Sequence, residues 1–210
     1  VWFENVGDRP SKVLEDVYAL KTTFKGSSPV LRGCLGDHVN YYTQYSRDLL
    51  KEDVTFTSTE GRATHIVFPY FDLVHGNSGT RIALGWAGTW EAKFSAKGKV
   101  TTVTAQTNLG LKGVLLPGEK IRTGLVVMMD YESRDENVSV NKWRAWFMKH
   151  NLPKADAQGN ELQPFCTTCF ASDTGLPNTD GSISETYYTW QRTLSYLVRE
   201  DFIPDFRWFD

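Results

Sequence analysis

Over its first 127 residues the chain never sustains a helical period. Apolar and β-branched residues come in short runs, and turn-forming residues separate them at close intervals. The runs are Val1–Val6, Val13–Leu20, Val30–Gly36, Val54–Thr59, Ile66–Phe71, Arg81–Trp86, Trp90–Phe94, Val100–Thr107 and Ile121–Met129. Between them stand Gly7-Asp8-Arg9-Pro10, Gly26-Ser27-Ser28-Pro29, Gly61-Arg62, Gly76-Asn77-Ser78-Gly79, Ala87-Gly88, Lys97-Gly98-Lys99 and Leu116-Pro117-Gly118-Glu119. Gly and Asn reach the backbone angles that tight turns demand, and Pro pre-sets one of them. Strands at this spacing, with no helix to cross between them, predict an antiparallel β-sandwich. The first two runs predict a strand, turn, strand unit. The polar segment with Tyr41, Tyr42 and Tyr45 has no clear period, so at least one ring is expected at the surface, where it could stack on a sugar; the alternative is that they cover the sandwich edge.

The period changes after residue 134. From about Asp135 to His150, Val140, Trp143, Trp146 and Phe147 mark one broad apolar face, which predicts a helix buried against a sheet or against the element that follows. Asp135 and Glu136 suit the positive end of its dipole, and Lys149 and His150 the negative end. Asn151 is expected to close it in the left-handed conformation, with Pro153 preventing continuation. Lys154 to Gln163 is a polar linker. The remainder reads as strand, loop, helix, strand. Pro164 to Ala171 is apolar, and Ser172 to Gly181 is rich in Gly, Asn and Asp. Ile183, Tyr187, Trp190, Leu194, Leu197 and Val198 then recur at helical steps behind a capping pair, Ser182 and Glu185. After Pro204 a short strand, Phe206-Arg207-Trp208-Phe209, delivers Asp210. Such units build parallel sheets and (β/α) barrels, whose C-terminal strand ends form the binding rim.

Composition excludes several classes. Lys plus Arg number 23 against 25 Asp plus Glu, a formal net charge of −2, which gives no basis for a nucleic-acid partner. No apolar run approaches the roughly 20 residues of a membrane span. The four His are scattered without metal-ligand spacing, and no phosphate loop or nucleophile elbow is present, so neither metal nor cofactor is implied. Cys166-x-x-Cys169 lies in an apparent strand, where its thiols point to opposite faces, and reads as packing rather than redox or zinc chemistry. Asn178-Thr179-Asp180-Gly181 lacks the flanking acids of a calcium loop, with Leu176 and Tyr187 where they are needed. Asn137-Val138-Ser139 fits a glycosylation sequon at a helix start, a motif common by chance. Aromatics make up 13% of the chain, with seven Trp; such rings serve both sandwich cores and sugar-binding surfaces. The chain starts inside a strand-like pattern without Met or targeting segment, and is expected to be an excerpt of a longer protein.

Several blocks in order resemble family 36 glycoside hydrolases, the α-galactosidase-like group. They are Val1-Trp2-Phe3-Glu4-Asn5-Val6-Gly7-Asp8 with Leu14-Glu15-Asp16; Ile82-Ala83-Leu84-Gly85-Trp86-Ala87-Gly88-Thr89-Trp90; Leu115-Leu116-Pro117-Gly118-Glu119 with Arg122-Thr123; Asn141-Lys142-Trp143-Arg144-Ala145-Trp146 with His150-Asn151-Leu152-Pro153; and Trp208-Phe209-Asp210. The resemblance departs from the family at Cys166-Thr167-Thr168-Cys169 and in the Tyr41 to Asp48 loop. It implies a mainly β architecture: a sandwich with its connecting helix over residues 1–153, a linker at 154–163, and the first β-α-β unit of a (β/α)8 catalytic barrel at 164–210. It implies a retaining glycosidase acting on α-galactoside-type sugars through two carboxylates about 5 Å apart, both carried by later strands, so that no catalytic residue lies in this segment. The substrate-binding residues it implies are Asp210, accepting hydrogen bonds from sugar hydroxyls, and Trp208, which either lines the same pocket or faces the core. The partner is an oligosaccharide or glycoside, with room for an oligomer. The rival reading is a non-catalytic carbohydrate-binding or structural sandwich module.

Overall fold

The structure is a computed structural model and describes residues 1–37, 41–107, 112–155, 157–162, 167–169, 194–201 and 206–208. The chain divides into two compact units, Val1–Asn151 and Leu152–Asp210.

Unit 1 is built from eleven described strands: β1 (Trp2–Glu4), β2 (Leu20–Lys25), β3 (Val30–Leu35), β4 (Gln44–Asp48), β5 (Val54–Ser58), β6 (Val67–His75), β7 (Ser78–Gly85), β8 (Trp90–Lys97), β9 (Val100–Gln106), β10 (Lys120–Arg122) and β11 (Leu125–Tyr131). A five-stranded sheet has the order β11-β7-β6-β3-β4 and a four-stranded sheet the order β2-β9-β8-β5, while β1 and β10 pair separately. Every pairing in this unit is antiparallel. Two-residue turns, Gly76-Asn77 and Gly98-Lys99, join β6 to β7 and β8 to β9. The mainly β sandwich read from the sequence is therefore present.

Side-chain alternation explains why two sheets form and face each other. Along β6, Val67, Phe71 and Leu73 point inward, joining Leu31, Ile82 and Leu84 from the same sheet. They meet Val54, Trp90, Ala92, Phe94, Val103 and Ala105 from the other sheet. Phe71 sits at the centre, wholly buried, with ring centroids 5.0 Å from Phe94, 5.8 Å from Trp90 and 5.9 Å from Phe56. Each such aromatic pair adds about 0.5–1.5 kcal/mol beyond its burial.

Four strand expectations need correction. Val13–Leu20 is not a strand; Leu14 makes one isolated bridge to Gly113, and the strand runs from Leu20 to Lys25. The reason is burial: Leu20, Thr22 and Phe24 alternate toward the interior, whereas Glu15 and Asp16 are exposed and Asp16 takes a left-handed φ of 55°. The first strand pairs with β10 rather than with its sequence neighbour. The run Ile121–Met129 is two strands in two different sheets, broken at Thr123-Gly124, where both residues are buried. A side chain at Gly124 would meet the Thr107 methyl at 2.4 Å and Trp86 at 3.2 Å, so the chain bends where only glycine fits. The Tyr41 to Asp48 segment, expected to lack periodicity, contains the edge strand β4.

Helix α1 (Glu136–His150) follows β11. Asp135 caps it, its carboxylate accepting from the Asn137 amide at 2.9 Å. Asn151 closes it, but at φ −115° in the right-handed region, donating its amide to the Phe147 carbonyl at 2.8 Å. The expected left-handed cap is absent because the last turn completes its own ladder.

In unit 2, Ala155 and Glu161 form an antiparallel bridge. Strands β12 (Thr167–Cys169) and β13 (Phe206–Trp208) pair in parallel, Cys169 opposite Trp208. Residues 194–199 are helical; Leu197 is half-buried, while Leu194 and Val198 are exposed rather than buried.

Candidate functional site

The outer face of β6 carries the residues that sequence reasoning passed over. Opposite the core-facing set, Phe68, Tyr70 and Asp72 alternate outward. On α1, Ser139 and Trp143 lie one turn apart, and both are buried. Four helical residues rise about 6 Å and two strand residues about 6.7 Å. The two spacings nearly match, so Ser139 meets Asp72 while Trp143 meets Tyr70. The Ser139 hydroxyl donates to Asp72 Oδ1 at 2.8 Å, and the Trp143 and Tyr70 rings meet edge to face at 5.0 Å. This places the helix on the outside of the five-stranded sheet, and Trp143 on the buried face that its periodicity predicted.

Asp72 is 1% exposed and needs every partner it has. Its second oxygen accepts from the Tyr131 hydroxyl at 2.8 Å. Burial, reinforced by the bond to Asp72 and its negative charge, pushes the Tyr131 phenol well above its ordinary range. Tyr131 thus remains a neutral donor. It reaches Asp72 because its cross-strand partner is Gly79: a side chain there would lie 2.3 Å from the phenol oxygen. Arg32 and Arg81 stand opposite Asp72 on the neighbouring strands, adding positive charge on both sides.

A row of rings extends from this point. Tyr70 meets Phe68 at 4.8 Å, Phe68 meets Tyr42 at 5.9 Å, and Trp143 continues to Trp146 at 5.1 Å. Tyr41 is 82% exposed and Tyr42 53%, both with left-handed backbones at φ 42° and 61°. Tyr45 differs: it packs on Phe56 at 5.0 Å, its hydroxyl is buried without a partner among the described residues, and burial raises its pKa. The three tyrosines therefore divide, one lining the sandwich and two facing water.

The residues singled out for substrate binding fall in unit 2. Trp208 is the last residue of β13, and Asp210 lies outside the described residues, as do Cys166 and the Asn178 to Gly181 loop. The glycosylation sequon places Asn137 at the exposed start of α1, while the Ser139 hydroxyl is engaged by Asp72. Among the described residues no three His, Cys, Asp or Glu converge on a metal-sized site, and no helix is long and apolar enough to cross a membrane.

No family model and no curated protein matches the chain at the level of sequence. Solved structures do. The α-galactosidase from Lactobacillus brevis matches 94% of this chain at a TM-score of 0.70 and 11% identity. The galactosidase domain of the α-galactosidase–sucrose kinase AgaSK matches 80% at 0.62 and 13% identity. The family GH36 α-galactosidase AgaA from Geobacillus stearothermophilus matches 63% at 0.53 and 19% identity. The fold is shared with these α-galactosidases. The chain spans 26%, 24% and 19% of their respective lengths. The likeness to family 36 read from scattered sequence blocks thus has a three-dimensional counterpart over most of the chain.

The Asp72 pin left a weak signal in the sequence. An acid two positions from Tyr70 on a β-rich run, and a Ser one turn before Trp143 on a helix, are each ordinary. Only pairing the strand period with the helix period connects them.

Proposed function

We propose that this chain is the sandwich and opening barrel segment of a retaining glycosidase for α-galactoside-type sugars. The division is a sandwich with connecting helix at 1–153, a linker at 154–163 and the barrel start at 164–210. The observation that carries this reading is the extent of the Lactobacillus brevis match. It covers 94% of the chain, more than the Val1–Asn151 unit can supply, so the likeness continues past the sandwich. The parallel pairing of β12 with β13 around a helical segment supports the same view, because parallel neighbours need a crossover. Related structures support the sugar class: AgaA variants were crystallised with raffinose, stachyose and 1-deoxygalactonojirimycin.

In this reading one of two carboxylates on later strands attacks the anomeric carbon, and the other protonates the leaving oxygen and then activates water. Asp210, just past β13, accepts hydrogen bonds from sugar hydroxyls, which a carboxylate makes roughly twice as strong as a neutral acceptor does. Trp208 lines the same pocket or faces the core.

Two measurements test it. Residues 1–210 alone should not hydrolyse an aryl α-galactoside, whereas the longer natural polypeptide should. In that polypeptide Asp210→Asn should lower kcat/KM strongly while leaving the melt unchanged. Turnover by 1–210 that survives removal of host enzyme overturns the proposal, as does a longer polypeptide without two acids on its later strands.

A further inference from the structure

The sandwich of unit 1 is closed along one side and open along the other. On the closed side Tyr45 of β4 packs on Phe56 of β5 at 5.0 Å, and Val54 and Ser58 of β5 are buried. On the open side β11 ends the five-stranded sheet and β2 ends the four-stranded one. Their inner faces are left uncovered. Leu20, Thr22 and Phe24 of β2 are only half-buried, whereas Thr101, Val103 and Ala105 of the adjoining β9 are buried. On β11, Val126 is half-buried and Met128 is 50% exposed. Two cavities follow one another along this gap. One of about 280 Å³ is lined by Leu20, Val126 and Met128, and one of about 520 Å³ by Phe24, Lys25 and Asp130. Leu20 to Lys25 spans roughly 17 Å, the length of one short strand. The edge beside the gap is unpaired. Gly26 donates its amide to the Lys99 carbonyl at 2.9 Å. Bonded residues alternate in an antiparallel ladder, so Leu20, Thr22 and Phe24 bond β9, while Lys21, Thr23 and Lys25 turn their N–H and C=O groups away from it. Those groups have no backbone partner among the described residues. The Lys21 ammonium lies over the Tyr18 ring, and neither Lys21 nor Lys25 forms an ion pair with a described residue.

We propose that this side of the sandwich is a strand-acceptor site, filled by an extended strand of the natural polypeptide outside residues 1–210 that pairs with β2 as the fifth strand of its sheet. The inward residues of that strand are apolar and cover Leu20, Phe24, Val126 and Met128. Its outward residues include acids opposite Lys21 and Lys25, because opposite charges across a strand pair are favourable. A strand satisfies the outward backbone groups of Lys21, Thr23 and Lys25 together, at the two-residue repeat in which they occur. A second copy of β2 fits poorly: antiparallel self-pairing centred on Thr23 sets Lys21 opposite Lys25 twice, and lysines on an edge oppose such pairing. The source follows from length. The chain spans 19–26% of the α-galactosidases that share its fold, so the longer polypeptide proposed above, on which this inference rests, has the chain to supply it. A strand within one polypeptide also avoids the entropic cost of association.

The test compares residue-resolved amide hydrogen exchange in residues 1–210 and in the longer natural polypeptide. The amides of Lys21, Thr23 and Lys25 should exchange freely in the first and be protected about a hundredfold or more in the second. Lys21→Glu with Lys25→Glu should leave the melt of residues 1–210 in place, since both side chains are exposed. In the longer polypeptide the same pair should lower both the melt and the protection, by setting acids against acids. Equal exchange of the three amides in the two polypeptides overturns the inference. A longer polypeptide indifferent to the double variant overturns it as well. Protection that appears in residues 1–210 alone as concentration rises, with a dimer mass in sedimentation, overturns it by placing a second copy on the edge. Turnover of an aryl α-galactoside is read separately: turnover with freely exchanging amides sinks the strand and keeps the glycosidase, and protected amides without turnover do the reverse.

Discussion

The two faces of β6 use different physics within one nine-residue strand. Inward, Val67, Phe71 and Leu73 join an apolar cluster in which any side chain of suitable volume contributes. Outward, Tyr70 and Asp72 meet one particular helix through the Trp143 ring and the Ser139 hydroxyl, while Tyr131 on β11 gives the Asp72 carboxylate its second hydroxyl donor. The inner face sets how strongly the two sheets hold together. The outer face sets which helix lies there and in what register, because an unpaired Asp72 would be costly where Tyr70 would not. Burial magnitude and positional specificity are thus divided between the two sides of a single element.

The comparison breaks most visibly at Phe71. Phe71→Ala empties the centre of the inner cluster and should cost about 3–5 kcal/mol in denaturant unfolding. A cost below that of any outer-face variant would show that the interior is not the dominant source of stability. Trp143→Ala should follow at about 3 kcal/mol. Trp143 sits at the rim, 9% exposed, with part of its contact made to its own helix. Fluorescence of the remaining Trp residues should report loosening of α1 while the sheets persist to higher denaturant. Asp72→Asn should cost about 2 kcal/mol, since the amide replaces one charged acceptor and turns a donor toward the other hydroxyl. A double-mutant cycle with Ser139→Ala should then show strong coupling, and additive costs would dissolve the pin.

The smallest expected effect comes from His75, the polar exception on the inner face. It bonds Thr101 across the sandwich at 3.0 Å and stacks on Phe24. Burial lowers its pKa from the ordinary 6.5. The unfolded chain therefore takes up a proton that the folded one refuses. Above pH 6.5 this residue leaves stability unaffected; as the pH falls below 6.5, stability declines until the folded imidazole also titrates. His75→Gln should show a shallower decline over that window, and an unchanged slope would mean the ring titrates freely in the fold.

Much of unit 1 was legible because alternation is local. Val54–Ser58, Trp90–Lys97 and Val100–Gln106 each announce an inward face by period alone. The helix was legible from the step between Trp143 and Phe147 and from the acids at its start, though the capping bond of Asp135 was not. The errors fell where the period was weak. Val13–Leu20 looked apolar enough for a strand, yet its acids face water, and Ile121–Met129 looked continuous until Gly124 had to pass beneath Thr107. The site residues Trp208 and Asp210 came from a resemblance, which assigns a position without its surroundings.

By itself, then, the sequence determined the inward faces of the strongly alternating strands and the place of the helix, which are set by interactions within a few residues. Tertiary structure alone decided which strands became neighbours, that β1 would seek β10 across 118 residues, and that Asp72, Tyr131 and Ser139 would share one carboxylate. The physical reason is range. A side chain's periodicity is felt by its immediate neighbours, but the worth of a buried charge depends on donors that arrive only when distant strands and a helix have closed around it.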